Sequence, residues 1–242
     1  MKVALISPFS LMQEMPNTGY HLVLAHLLQD PDYLAFHQTV EGYKILDNGA
    51  AEGSLVDFDE LLIRAAEINA DEVIVPDAMG DFTETVTLLH RFTDYAEAHP
   101  EFRYTAALQG TNTKELILSY ESTLDVGYVS NIALPRFMQH IDKHERSLWA
   151  KIIRENFDSD VDIHCLGATS WTREVRELSE NGHARGIDTS MPIVLGLAGI
   201  RLSESEDYVP RAMDYFHVEA TDEQKEIILD NVNTYLAWAQ AS

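Results

Sequence analysis

Residues 58–98 read FDELLIRAAEINADEVIVPDAMGDFTETVTLLHRFTDYAEA, and this stretch holds one full period of the fold. From Phe58 to Ile68 the apolar side chains Leu61, Leu62, Ala65, Ala66 and Ile68 recur at the spacing of one helix face. Val73 to Val75 is a short β-branched run, too brief for a helix and stopped by Pro76-Asp77. Thr83 to Ala98 returns to the helical period. Helix, buried strand, helix is the pattern of a parallel sheet wrapped by helices.

The same alternation extends in both directions. Strands are expected at Val3–Ile6, Tyr43–Leu46, Val73–Val75, Tyr104–Leu108, Tyr128–Leu134 and Ile163–Leu166, with another beginning at Gly186-Ile187. An amphipathic stretch runs from about Tyr20 to Leu28, and further helices are expected at Lys114–Leu124, His144–Phe157 and Thr172–Ser179. Ile193 to Ile200 fits a short helix or a strand, Asp214 to Val218 fits an eighth strand, and a final helix covers 222–240. Seven or eight units of roughly 30 residues each match a closed (β/α)8 TIM-type barrel better than an open doubly wound sheet. No linker or repeat divides the chain, so residues 1–242 read as a single domain, with the polar stretch Arg201–Arg211 expected to be a mobile loop.

Composition narrows the function. Seventeen Lys and Arg against 40 Asp and Glu leave a formal charge of -23, so no broad basic field attracts phosphate backbones. Contact with nucleic acid must then be local or helped by a partner. The one candidate strip is Lys143, Arg146, Lys151 and Arg154, for which a solvated helix face is the more ordinary reading. Cys165 is the only cysteine, which excludes an intrachain disulfide and a thiolate zinc site. Lying inside an apolar strand, it reads as a small buried hydrophobe; Trp149, Trp171 and Trp238 read as packing on the barrel exterior. The N-terminus reads as a first strand rather than a signal peptide, and no apolar run is long enough to span a membrane, which suits a cytoplasmic location.

In such barrels the loops after the strands gather at one mouth. There the sequence sets Asp47-Asn48-Gly49, Pro76-Asp77, Gln109-Gly110, Asn131, His164 with Gly167, and Asp188-Thr189-Ser190. Any one Asp or Asn after a strand is an ordinary helix cap. Three carboxylates facing one small volume would repel one another unless a substrate, proton or cation balances them. A divalent cation held by these carboxylates with His164 is one alternative, although no H-x-H, H-E-x-x-H or D-x-D-x-D-G spacing occurs. GLAG at 196–199 lacks a P-loop lysine and reads as close packing rather than a phosphate site, and no cofactor is expected.

In this order the motifs resemble the tRNA-guanine transglycosylases, and more closely their shorter relatives in phages and bacterial islands that insert 7-deazaguanines into DNA. The resemblance spans about Asp47 to Pro192 and lies in the succession of the motifs rather than in any one. It implies a proton-transferring carboxylate at Asp47, with Asn48 beside it, and recognition of the guanine edge by Asp77. It also implies base contact by Gln109 and Gly110, backbone contact from Asn131-Ile132-Ala133, and a nucleophile at Asp188 in Gly186-Ile187-Asp188. His164 joins the substrate-facing set by its place near a strand end. The Cys-rich zinc element of the tRNA enzymes is absent, and Asn131 stands where that family has glycine.

The residue types suit that chemistry. Base exchange without hydrolysis needs a nucleophile on the anomeric carbon, and a carboxylate can form a glycosyl ester through an oxocarbenium-like transition state. The expected activity is replacement of guanine by a 7-deazaguanine, such as the 7-cyano base, in flipped or single-stranded nucleic acid, DNA rather than RNA. The expected partners are therefore nucleic acid and the free 7-deazaguanine base. A partner subunit or homo-oligomer is compatible with the barrel, although no apolar stripe marks an interface, and no membrane is involved. The alternatives are glycosyl chemistry on free nucleosides or nucleotides, a non-catalytic subunit of a nucleic-acid-modifying complex, and metal-dependent hydrolysis.

Overall fold

Short apolar runs joined by helical stretches fold as a single-domain (β/α)8 barrel of the TIM type. The computed structural model describes residues 1–140, 146–157, 159–168, 173–202 and 209–240. The strands are β1 (Lys2–Leu5), β2 (Tyr20–Leu24), β3 (Tyr43–Asp47), β4 (Glu72–Ile74), β5 (Arg103–Ala107), β6 (Val129–Pro135), β7 (Asp162–Leu166) and β8 (Gly186–Thr189). All ladders are parallel and run in order from β2 to β8, and β8 pairs back onto β1 with Ala4 opposite Asp188. β1 and β2 lie side by side without a ladder and nearly close the ring.

The helices are α1 (Pro31–Thr39), α2 (Phe58–Glu67), α3 (Phe82–Ala98), α4 (Thr113–Asp125), α5 (Arg146–Asn156), α6 (Arg173–Asn181), α7 (Met191–Leu197) and α8 (Asp222–Gln240). Strand side chains alternate between two environments. Ile132, Leu134, Ile163, Cys165 and Ile187 turn outward to pack with Leu116, Trp149, Ile153, Leu178 and Tyr235 of the helices. Leu46, Val73, Val75 and Ala106 do the same against Leu61, Leu62, Leu89 and Phe92. Each such aliphatic side chain contributes about 1.5–3 kcal/mol by leaving water. The alternate positions, among them Tyr20, Glu72, Thr105, Asn131, His164 and Asp188, are left to the barrel interior, and all are buried.

Two expectations are corrected. Tyr20–Leu24 is strand β2 rather than the start of an amphipathic helix, because Leu22 and Leu24 pack in a different apolar cluster from Val23, so both faces of the segment are buried as a strand between barrel interior and helix layer requires. Asp214–Val218 is not a strand: Tyr215–His217 forms a 3-10 turn, and the Tyr215 hydroxyl donates to Ile6 O at 2.6 Å. Ile193–Ile200 resolves as α7 and the turn after it. Lys143, Trp171 and residues 203–208 of the expected mobile loop lie outside the described residues. Among the described residues no helix is long and apolar enough to cross a membrane.

Candidate functional site

The helix caps lie elsewhere than at the three carboxylates. Asp30 caps α1, Asp57 caps α2, Asp81 caps α3 and Asn112 caps α4, each accepting a backbone N–H from the first turn. Asp47, Asp77 and Asp188 are buried, cap none of these helices, and line one cavity of about 580 Å³ at the strand C-termini. That volume is in the range of small-molecule and nucleotide pockets. Asn48, Gln109, Gly167, Met79, Arg136 and Arg211 share the lining.

Each carboxylate is wired differently. Asp47 ends β3, and its Oδ2 accepts from Gly49 N at 3.1 Å. Gly49 has φ 83°, and a Cβ there would sit 2.6 Å from Ser54 O, so this turn requires glycine. Asn48 Nδ2 donates to Val75 O at 2.8 Å and to Asp77 Oδ1 at 2.7 Å. The other oxygen of Asp77 accepts from Gln109 Nε2, while Gln109 Oε1 accepts from Gly80 N at 2.8 Å. Burial pushes the Asp77 carboxyl above its ordinary range, and the Asn48 and Gln109 donors offset part of that shift.

Asp188 is held by one oxygen. Its Oδ1 accepts from Gly167 N at 2.8 Å and lies 3.2 Å from His164 Nε2. Among the described residues Oδ2 has no hydrogen-bond partner. Gly167, at φ 64°, is fixed in turn by Arg146, which donates from Nη2 to Gly167 O at 2.6 Å and from Nη1 to Leu134 O and Leu166 O at 2.9 and 2.7 Å. Arg146 also makes a bidentate pair with Glu174 at 2.9 Å for both bonds.

The structure gathers Asp47, Asn48, Asp77, Gln109 and Asp188 and separates the rest of the expected set. Asn131 lies near the start of β6, opposite Asp162 and bonded by Arg103, at the end of the barrel away from the mouth. Ile132 turns outward into the helix layer and Ala133 pairs with His164 in mid-barrel, so this segment does not line the cavity; Pro135, Arg136 and Phe137 do. Gly110 is also outside the lining. A Cβ there would be 2.7 Å from the Glu115 Cβ, so its role is close packing on α4. His164 is fully buried beneath Asp188. Both the candidate basic strip and the solvated helix face fail at Arg146, which is 0% exposed, while Lys151 pairs with Glu155 and Arg154 with backbone carbonyls. Cys165 is buried, and burial pushes its thiol up to about 12.

Sequence reading gave no site role to Tyr20, Arg136 and Arg211, and it placed Arg146 on a helix surface rather than beneath the site. Only the two Pro-Arg pairs, Pro135-Arg136 at the end of an apolar segment and Pro210-Arg211 at the end of a polar one, carried a signal. Among the described residues no three His, Cys, Asp or Glu side chains are grouped to hold a metal ion. Comparison with models of known protein families and with curated proteins gives no match to this chain.

Proposed function

We propose that the protein is a base-exchange glycosyltransferase that replaces guanine by a 7-deazaguanine in nucleic acid, DNA rather than RNA, through a glycosyl ester on Asp188. The observation that carries this reading is the asymmetric tethering of Asp188: Oδ1 accepts from Gly167 N and lies 3.2 Å from His164 Nε2, while Oδ2 has no hydrogen-bond partner among the described residues and would meet an anomeric carbon in a cavity shared with Asp47, Asp77 and Gln109. Asp77 keeps lone pairs beyond those used by Asn48 and Gln109, and Gln109 keeps one amide N–H. A guanine edge offers the matching set, two kinds of N–H for Asp77 and a carbonyl for Gln109. Asp47 is the carboxylate left to protonate the departing base and deprotonate the incoming one.

A second reading, exchange on a free nucleotide, is favoured by one specific observation: burial of Arg146 removes a member of the one candidate basic strip from a chain of charge -23. Salt separates the two, since binding to a single strand weakens with a log–log slope near -0.7 for each phosphate neutralised. The direct test is intact-protein mass after denaturation, following incubation of wild type and Asp188→Ala with guanine-containing single-stranded DNA, RNA or guanosine monophosphate. An adduct with DNA in wild type alone supports the proposal. An adduct with the mononucleotide alone moves the substrate, and no adduct with any of them refutes the glycosyl mechanism.

A further inference from the structure

Beneath the cavity the barrel interior is polar, and its hydrogen bonds run in one direction. Glu72, 0% exposed, grips Arg185: Nη1 lies 2.8 Å from Oε2 and Nη2 donates to Oε1 at 2.9 Å. Glu72 also accepts from the Tyr43 hydroxyl at 2.7 Å and from Thr105 Oγ1. With both terminal nitrogens engaged, Arg185 donates its Nε–H to the Tyr20 hydroxyl at 3.2 Å. A guanidinium can only donate, so the Tyr20 oxygen accepts there and keeps its own proton for its other neighbour. That neighbour is His164 Nδ1, at 2.8 Å. Burial keeps the phenol protonated. An imidazole that accepts at Nδ1 carries its proton on Nε2, and Nε2 is the atom 3.2 Å from Asp188 Oδ1.

We propose that Tyr20 and His164 are positioning residues: the Glu72–Arg185 pair at the barrel floor fixes His164 as the Nε2–H tautomer, which with the Gly167 N–H holds Asp188 Oδ1 and makes Oδ2 the attacking oxygen. The proposal rests on Asp188 being the glycosyl-accepting nucleophile. In the first step the C1′–N9 bond to guanine breaks as a C1′–Oδ2 bond forms, and the departing base takes a proton from Asp47. In the second, the incoming base gives its N9 proton to Asp47 and forms C1′–N9, while Asp188 leaves with the electron pair of the C1′–Oδ2 bond. The two donors stay on Oδ1 throughout. They favour the carboxylate over its ester, because hydrogen bonds to an ionised acceptor are the stronger ones. Their main effect is therefore on the second step, in which Asp188 is the leaving group.

Two measurements on the full chain test this. NMR of protein labelled with 15N-histidine reads the tautomer of His164, with the His164→Gln spectrum assigning the signal. Wild type is expected to show Nε2–H, and Tyr20→Phe, which keeps the ring shape, is expected to lose that bias. Nδ1–H in wild type, or an unchanged tautomer in Tyr20→Phe, overturns the proposal without any need for turnover. In the second measurement Tyr20→Phe and His164→Ala are expected to lower base exchange about tenfold while raising the fraction of enzyme trapped as adduct. His164→Gln, whose amide N–H can replace Nε2–H, is expected to restore much of both. Turnover and trapped adduct falling together in all three variants would mark a merely structural role and overturn the proposal. Absence of adduct in wild type refutes Asp188 as nucleophile, and with it the assignment of Oδ2, while the tautomer still decides whether the donor chain exists.

Discussion

Replacing Gly186 by alanine tests whether the barrel interior is as tightly specified as its hydrogen bonds imply. Gly186 begins β8, and its φ is unremarkable, so the substitution acts through space rather than through backbone strain. A Cβ there would meet Tyr20 Cε1 at 2.6 Å and both Cζ and the hydroxyl at 2.9 Å. Ordinary contact begins at 3.4 Å, so the ring has to move by roughly 0.8 Å. Tyr20 is 0% exposed and is stacked on Tyr43 with ring centroids 6.0 Å apart, leaving no empty side to move into. A shift of that size stretches a 2.8 Å bond to His164 or a 3.2 Å bond to Arg185 beyond hydrogen-bonding range. Overpacking costs about 1–3 kcal/mol and the lost bond about 1 kcal/mol. The expected destabilisation of Gly186→Ala is therefore about 2–4 kcal/mol, read from urea unfolding. A double-mutant cycle with Tyr20→Leu, which removes the clashing atoms, should show the pair costing at least 1 kcal/mol less than the two single changes added. A variant within about 0.5 kcal/mol of wild type, or strict additivity in the cycle, would refute the packing argument.

Other expectations follow from the same wiring. His37 is buried against Tyr33 and Phe36, and burial lowers its pKa from 6.5 to about 3, so its neutral form stabilises the fold above pH 6.5 and that contribution is lost as pH falls toward 3. His37→Phe should therefore remove about 2 kcal/mol of the loss in stability between pH 7.5 and 5, measured by urea titration, while His21, whose pKa burial also lowers, keeps a contribution of the same sign. Glu174→Gln leaves the buried Arg146 without its counter-charge and is expected to cost about 3–5 kcal/mol, unchanged by added salt; a cost below 1 kcal/mol would show that the carbonyl acceptors alone hold Arg146. Because burial raises the Asp77 pKa above 3.8, guanine binding should weaken as pH falls through that raised value, and calorimetry should find weaker and pH-independent binding in Asp77→Asn.

The barrel was legible because its outward-facing strand residues and helix faces carry strong periodic signals, as between Phe58 and Ala98. Strand β2 was not, since Tyr20–Leu24 runs directly into Ala25–Gln29, a 3-10 turn, and the joined stretch imitates one helical period. At the site, short-range features were readable: Asp47 and Gly49 form one turn, and Asp188 follows an apolar strand start. Depth along a strand was not readable. Asn131 and His164 were read as mouth residues because they lie in apolar strands near polar loops, but β6 runs on to Pro135 and β7 to Leu166, which places both side chains below the cavity. Arg146 was misplaced for a related reason: its partners Glu174, Leu134, Leu166 and Gly167 lie 12–28 residues away, beyond any local pattern.

Three carboxylates can share one cavity because the surrounding donors give them different tasks. Asp77 is fastened through both oxygens to amide nitrogens, whose donors offset part of the rise in pKa that burial causes, and the lone pairs they leave suit recognition of an N–H edge. Asp188 has one oxygen within reach of a backbone N–H and of His164, which itself adjoins Tyr20 and the half-buried Arg185, and on the proposed mechanism this tether leaves its second oxygen for covalent attack. Asp47 is held by the turn that its own Gly49 makes possible, close enough to the chain ends of the strands to meet a base entering the cavity. Had the three been helix caps, the neighbouring Asp57 and Asp81 would have had no role, yet each of those caps the helix that follows. A chain that supplies separate residues for capping and also buries Asp47, Asp77 and Asp188 bears the desolvation cost of about 1–3 kcal/mol per polar group for a reason other than stability. Substituting all three by asparagine should accordingly abolish adduct formation while leaving the barrel at least as stable as wild type near neutral pH, and a loss of several kcal/mol would return the carboxylates to a structural role.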